Sequence, residues 1–159
     1  MLVTTGDPQL LVVLHSEPAG SGALTLGRVE LACNALNFAS FTVANLYPAV
    51  LPNTNTFPKI KDDPVWASGR DRILDFLDAE STEAVLLGYG VSPPSGVQRR
   101  NYLNQVSWLS DELRRRSVEV WTFGGRTSHP SRWHRHVHKQ APGKSVEESA
   151  RLFLTRFEP

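Results

Sequence analysis

Cysteine is almost missing from this chain, with Cys33 alone among 159 residues. A single cysteine excludes an internal disulfide and any metal or iron–sulfur site that needs several cysteines. A reducing cytoplasm is therefore the expected compartment. Long apolar runs are missing too: the longest near the N-terminus covers only residues 10–14, and no basic segment precedes it. We therefore expect neither a secretory signal nor a membrane partner.

Net charge is also scarce, at +1, so the chain as a whole does not have the charge of a polyanion-binding protein. The charges are unevenly distributed, however. Residues 62–83 hold seven acidic side chains against two arginines, whereas residues 97–139 hold nine basic side chains against three acidic ones. The basic segment indicates an anionic partner, phosphate above all.

Short apolar runs alternate with amphipathic segments along the chain. The runs predict strands at residues 10–14, 40–44, 83–87 and 117–123. The amphipathic segments predict helices at residues 28–38, from 68 or 71 to about 79, at 101–116 and from 145 to about 157. This order and length predict one domain over residues 1–159, a three-layer α/β/α sandwich with a four-stranded parallel sheet.

A parallel sheet brings the segments that follow its strands to one edge, where ligands of such folds bind. Those segments are residues 15–22, 45–58, 88–96 and 124–139. The second leads into a stretch with Pro48, Pro52, Pro58 and Pro64, which excludes a regular helix or a central strand there. None of the four has the glycine spacing of a dinucleotide-binding motif or a P-loop.

The segment after the fourth predicted strand is the richest in chemistry, since residues 127–139 hold four of the five histidines. His134, His136 and His138 alternate, so an extended backbone would place three imidazoles on one side, as a zinc site requires. Arg135 lies between them and no carboxylate is near. A basic, partly solvated edge is therefore the favoured interpretation, and no metal or other cofactor is predicted.

Three polar residues near the ends of predicted strands are candidates for a site, each with an ordinary alternative. Glu17 could orient a water or act as a general base, or be a solvated loop acid. Asn45 could recognise the edge of a planar base, or satisfy the backbone of a turn. His129, after two glycines, could donate a hydrogen bond to a developing negative charge.

Aromatic and basic side chains near His129 suggest a nucleic-acid contact. Trp133 is either part of the core or an exposed platform or wedge against nucleobases. Arg132 and Arg135 are either phosphate contacts or part of a solvated face. The residue types alone do not decide between these alternatives.

Three motifs, in chain order, resemble those of the uracil-DNA glycosylase-like superfamily. They are Ser16-Glu-Pro-Ala-Gly20, Val43-Ala-Asn-Leu-Tyr-Pro48 and Ser128-His-Pro-Ser-Arg132. The chain also resembles a set of small proteins described only as a domain of unknown function. The first resemblance implies a DNA glycosylase that hydrolyses the N-glycosidic bond of a damaged or modified base, with DNA or a nucleotide as partner.

The resemblance also implies roles for individual residues. Glu17 and His129 would be catalytic: the acid would orient water or stabilise the sugar cation, and the imidazole would stabilise the departing base. The remaining positions would bind substrate. Asn45 and Ser131 would contact the base or its phosphate, Phe57 or Tyr89 would supply the stacking aromatic that the first loop lacks, and the nucleic-acid contacts would be Arg126, Arg132, Trp133 and Arg135. The alternative function is a non-catalytic module that binds a nucleotide or a modified nucleic acid on the same fold.

Overall fold

The computed structural model describes residues 7–51 and 56–159. Strands and helices alternate along most of the chain. They are β1 (Gln9–Glu17), α1 (Ala23–Ala35), β2 (Ser40–Val50), α2 (Val65–Leu77), β3 (Thr82–Leu87), α3 (Gln98–Arg116), β4 (Glu119–Phe123), α4 (Trp133–Gln140), α5 (Val146–Phe153) and β5 (Leu154–Arg156). A short 3-10 helix, Pro130–Arg132, precedes α4. No helix in the described ranges has the length and apolar character needed to span a membrane.

The strands form one mixed sheet in the order β2-β1-β3-β4-β5. β1 to β4 run parallel, as the sequence predicts, and β5 pairs antiparallel with β4. The prediction of a four-stranded, wholly parallel sheet is therefore wrong, because residues 154–156 are a strand and not the last turn of a helix. The outer edge of β4 offers unpaired backbone groups, which the C-terminal segment satisfies; the Phe157 amide, for example, donates to the Val120 carbonyl at 2.9 Å.

Helices cover both faces of the sheet, which gives three layers. Along β1 successive side chains point to opposite faces, so two separate cores form. Leu11 and Val13 pack in the core that includes α2 and α3. Leu10 and Val12 pack in the core that includes α1, α4 and α5. The continuous apolar run of β1 is therefore explained by burial on both faces.

β2 extends further than predicted, through Asn45 to Val50, so part of the expected loop at residues 45–58 is strand. Pro48 is tolerated because β2 lies at the edge of the sheet and pairs only with β1. Pro52 and the three residues after it lie outside the described residues.

A buried polar network fixes the segment that follows, from Thr56 to Pro64. The Tyr47 hydroxyl donates to the Asp63 carboxylate at 2.7 Å, and the Gln98 amide donates to the Pro58 carbonyl at 2.8 Å. These bonds hold Phe57 so that its ring lies 5.4 Å from that of His15, measured between centroids. The loop after β2 thereby packs behind the end of β1.

Gly69 is required where α2 crosses β2. A Cβ atom there would overlap the Leu46 carbonyl oxygen and lie 3.1 Å from the Gln105 amide nitrogen, which donates to that same carbonyl. We expect Gly69→Ala to lower the free energy of unfolding by about 2–3 kcal/mol through overpacking. Gly27→Ala in α1 is the matched control, because its Cβ would meet nothing within 4 Å. The control should gain about 0.5–1 kcal/mol. Equal urea-denaturation midpoints for the two variants would contradict this account.

Candidate functional site

A cavity of about 830 Å³ lies at the carboxyl ends of the parallel strands. The loops after β1, β3 and β4 form its walls, together with the middle of β2 and the start of α1. Seven of the residues that the sequence singles out line it: Glu17, Asn45, Tyr89, His129, Ser131, Arg132 and Arg135. The cavity therefore brings together all three motifs of the resemblance.

Two other candidates lie elsewhere. Phe57 does not line the cavity; its ring stacks on Trp66, with the centroids 5.5 Å apart, and supports His15 from behind. Arg126 is exposed on the turn after β4 and is not among the lining residues either. Tyr89 does line the cavity but is only 7% exposed, so little of its ring is open to a ligand.

Trp133 is a core residue, which corrects its assignment as a nucleic-acid contact. Its side chain is 0% exposed and stacks on Phe123, with the centroids 4.4 Å apart and the planes within 7°. Its indole N–H donates to the Ser128 carbonyl at 3.0 Å. A side chain that stacks on a base or wedges between bases must be exposed. Trp133 is not, so it is a residue of the hydrophobic core.

The three alternating histidines lie on helix α4 and so lack the extended backbone that would place all three imidazoles on one side. His134 and His138 are one turn apart and border a separate cleft beside α1, where Arg28 also lies. His136 instead packs its ring against Phe153, with the centroids 4.6 Å apart. Within residues 7–51 and 56–159, no group of three or more His, Cys, Asp or Glu side chains could hold a metal ion.

His129 caps the 3-10 helix and has a defined hydrogen-bonding state. Its Nδ1 accepts the backbone N–H of Ser131 at 3.2 Å and lies 2.8 Å from the Ser131 hydroxyl. Because a backbone N–H can only donate, Nδ1 has no proton, and the neutral ring carries its proton on Nε2. Burial, and secondarily the charge of Arg132, lower the pKa of His129. The residue is thus an uncharged hydrogen-bond donor in the cavity wall.

His15 is the residue of the site to which sequence analysis assigned no role. It lies in β1, is 5% exposed and lines the cavity. Burial lowers the pKa of His15 to about 4, with a further contribution from His129, so the ring is neutral at pH 7. Its Nδ1 lies 3.1 Å from the Ser16 hydroxyl, and its Nε2 has no hydrogen-bond partner in the described structure. In the sequence, the feature that points to His15 is its position as the first polar residue after the apolar run of β1.

Asn45 and Glu17 enter the cavity from neighbouring strands. Asn45 is 9% exposed, pairs with Leu14 across the β1–β2 ladder, and its Oδ1 has no partner in the described structure. Glu17 follows an irregularity in that ladder and is half-exposed. Its carboxylate lies 3.8 Å from the guanidinium of Arg72, a long and solvated contact that leaves it free to bind other groups.

The cationic residues of the cavity are Arg132 and Arg135, both exposed, and neither forms an ion pair in the part of the chain that the structure describes. The arginines at the end of α3 differ, since each has an acidic partner: Arg114 pairs with Asp111, Arg115 with Glu112, and Arg116 with Asp78 and Glu112. Arg132 and Arg135 are therefore the basic groups available to an anion in this cavity.

The cavity combines uncharged hydrogen-bonding groups, a carboxylate and free cations. Two neutral imidazoles and an amide can form hydrogen bonds with a polar heterocycle. The arginines can form ion pairs with a phosphate. No protein-family model, no curated protein and no solved structure matches this chain.

Proposed function

We propose that this protein is a DNA glycosylase-like hydrolase, which cleaves the N-glycosidic bond between a damaged or modified base and its deoxyribose. One observation carries the proposal: Glu17, Asn45 and His129 come from three distant parts of the chain and line one cavity. Their side chains suit the three tasks of this reaction, which are activation of water, recognition of the base and stabilisation of the leaving group.

The base occupies the cavity after the nucleotide is extruded from the DNA helix. Asn45 supports recognition because its amide has both donors and acceptors and its Oδ1 is unpaired. His129 supports the leaving step, since cleavage places negative charge on the departing base and a neutral Nε2–H can donate to it. Ser131 holds the imidazole in that tautomer through the bond to Nδ1.

Water adds to the anomeric carbon as the bond to the base breaks. Glu17 accepts a proton from that water or stabilises the sugar cation by its charge. Its half-exposed position at the cavity wall suits contact with a solvent molecule. Arg132 and Arg135 bind the flanking phosphates, where ion pairs with the DNA backbone supply affinity without sequence preference.

The direct test is release of base from oligonucleotides that carry one deaminated or alkylated base, followed by cleavage at the abasic site and gel analysis. We expect product with wild-type protein and a loss of about a hundredfold in rate for His129→Ala, the usual cost of removing a donor to a developing anion. Glu17→Gln should lose activity without losing DNA affinity. Arg114→Ala, at the far end of α3, is the control and should retain full activity.

No abasic product from any substrate of a broad panel, at protein in excess over DNA, would exclude hydrolysis. A second candidate function, a non-catalytic module for nucleotides or modified nucleic acid, would then remain. The position of Phe57 favours it, because without an exposed stacking ring the cavity has fewer means to distort a substrate. That module would raise its unfolding temperature with nucleotides, and Glu17→Gln would bind them equally well.

A further inference from the structure

A second cleft, of about 740 Å³, lies between helices α1 and α4 and the start of α5; we call it the helix cleft. It shares no lining residue with the cavity at the ends of the strands. The residues that line it have no task in the proposed hydrolysis. Four of them are basic: Arg28, His134, His138 and Lys144. A cleft with this composition needs a function of its own.

Arg28 and Lys144 are the permanent cations of the helix cleft. Neither forms an ion pair within residues 7–51 and 56–159. Arg28 is partly buried, and its guanidinium donates to the Pro130 carbonyl at 2.7 Å. A guanidinium has five N–H donors, so this bond holds the group in place and leaves further donors for a ligand. An anion that binds there therefore meets a charge that is already positioned.

His134 and His138 add hydrogen-bond donors to the helix cleft. They are one turn apart on α4, and both are exposed. Nδ1 of His134 lies 3.4 Å from the Arg28 guanidinium, which can only donate, so the neutral ring carries its proton on Nε2. One carboxylate, Glu147, also lines the cleft. Two cations against one carboxylate give a formal charge of +1 with both histidines neutral, so the cleft attracts an anion and repels a metal ion.

The remaining walls of the helix cleft are largely apolar. Leu24, Leu31 and Val137 line it, and the Leu24 side chain is 59% exposed. A ligand that covers Leu24 gains free energy because it removes apolar surface from water. A bare inorganic ion cannot do so. The cleft therefore favours an anion that carries an organic group, and a phosphate monoester, with nearly two negative charges at pH 7, matches an arginine and a lysine better than a carboxylate does.

We propose that the helix cleft is a binding site for a phosphate monoester, whose phosphate lies at Arg28 and Lys144 and whose organic group lies against Leu24. The site goes beyond the proposed hydrolysis and does not depend on it. Two sources present this chemistry: a small organic phosphate and the 5′-phosphate at the end of a nucleic-acid strand. Both place the same group between the same two cations.

Titration of the full chain with phenyl phosphate, followed by NMR of the backbone amides, tests the site. We expect the Lys144 and Val146 signals to shift, with a dissociation constant below about 1 mM. Lys144→Ala should weaken binding about tenfold or more, the usual effect of one lost hydrogen bond to a charged group. Lys139→Ala is the matched control, because this lysine is exposed on α4 and does not line the cleft. It should bind as wild type does.

A second variant tests the apolar wall separately from the charges. Leu24→Ala should weaken phenyl phosphate about fivefold, because less apolar surface is covered, and should leave the affinity for inorganic phosphate unchanged. The side chain is mostly exposed, so its removal should not unfold the protein. Benzoate, which has the same ring on a carboxylate, should bind more weakly than phenyl phosphate. Equal affinity for benzoate and phenyl phosphate would overturn the assignment of a phosphate site.

The positions of the shifting signals separate this site from the cationic residues of the first cavity. Shifts at Ser131 that Arg132→Ala abolishes, without a shift at Val146, would overturn the inference and leave the proposed hydrolysis intact. Unchanged affinity in Lys144→Ala would overturn it as well. Lys144→Ala should retain any base release that the wild type shows, so failure of the hydrolysis leaves the helix cleft unaffected.

Two oligonucleotides of one sequence, with and without a 5′-phosphate, distinguish the sources. Shifts of the helix-cleft signals with the phosphorylated strand alone support a strand end as the ligand. Shifts with phenyl phosphate and with neither strand support a small organic phosphate. Equal shifts with both strands would mean that the helix cleft binds phosphate diesters, which contradicts the proposal.

Discussion

Replacing Trp133 with alanine is expected to lower the free energy of unfolding by about 4 kcal/mol. The indole is fully buried and stacks on Phe123, so its removal leaves a large cavity in the core between the sheet and helices α1, α4 and α5. The change also leaves the Ser128 carbonyl without the indole N–H. Urea denaturation at pH 7 measures the loss, and Trp133→Phe should lose less because it keeps the stacking.

The matched control is Arg135→Ala, an exposed position two residues further along α4. Its free energy of unfolding should stay within about 0.5 kcal/mol of wild type. The opposite pattern, in which Trp133→Ala is as stable as wild type but binds DNA poorly, would mean that the indole contacts nucleic acid.

The layered architecture could be predicted because burial on both faces leaves a plain pattern in the sequence. β1 and β3 each contain a continuous apolar run, and each is followed by a loop and a helix. β5 could not be predicted in the same way. Residues 154–156 continue the pattern of α5 locally, and only the unpaired edge of β4, a tertiary feature, makes them a strand.

The cavity could be predicted in part, since the loops that follow parallel strands must converge. This convergence predicts that Glu17, Asn45 and His129 lie at one edge, and all three line the cavity. The convergence of loops does not determine which aromatic rings belong to the core and which line the cavity. Trp133 and Phe57 are aromatic residues of the kind that contact ligands, but Trp133 is buried against Phe123, and Phe57, which is partly buried, packs against Trp66 and does not line the cavity.

His15 shows the reverse case, a residue whose importance depends on burial that the sequence does not reveal. A histidine after an apolar run suggests the start of a solvated loop. β1 instead continues to Glu17, and the rings of Phe57 and Tyr102 enclose the imidazole. Both rings reach it from segments remote in sequence.

Because the His15 imidazole is enclosed, it lowers the free energy of unfolding at acidic pH. Its pKa is about 4 in the folded protein against an ordinary value of 6.5, so below pH 6.5 the unfolded chain binds a proton that the folded protein does not. The contribution of His15 to stability is therefore unchanged above pH 6.5 and is lost as the pH falls towards 4. At about 1.4 kcal/mol per pKa unit, the total loss is about 3 kcal/mol.

His15→Phe removes this titrating group while keeping an aromatic ring in place. Between pH 7 and pH 5 the wild type should lose about 2 kcal/mol more stability than the variant, by the same linkage. Any residual pH dependence of the variant includes the contribution of His129, whose pKa is lowered for the same reason of burial. Chemical denaturation of both proteins at half-unit pH steps measures the difference. Parallel curves would show that the His15 imidazole is solvated in the folded protein, because a solvated ring takes up its proton equally in both states.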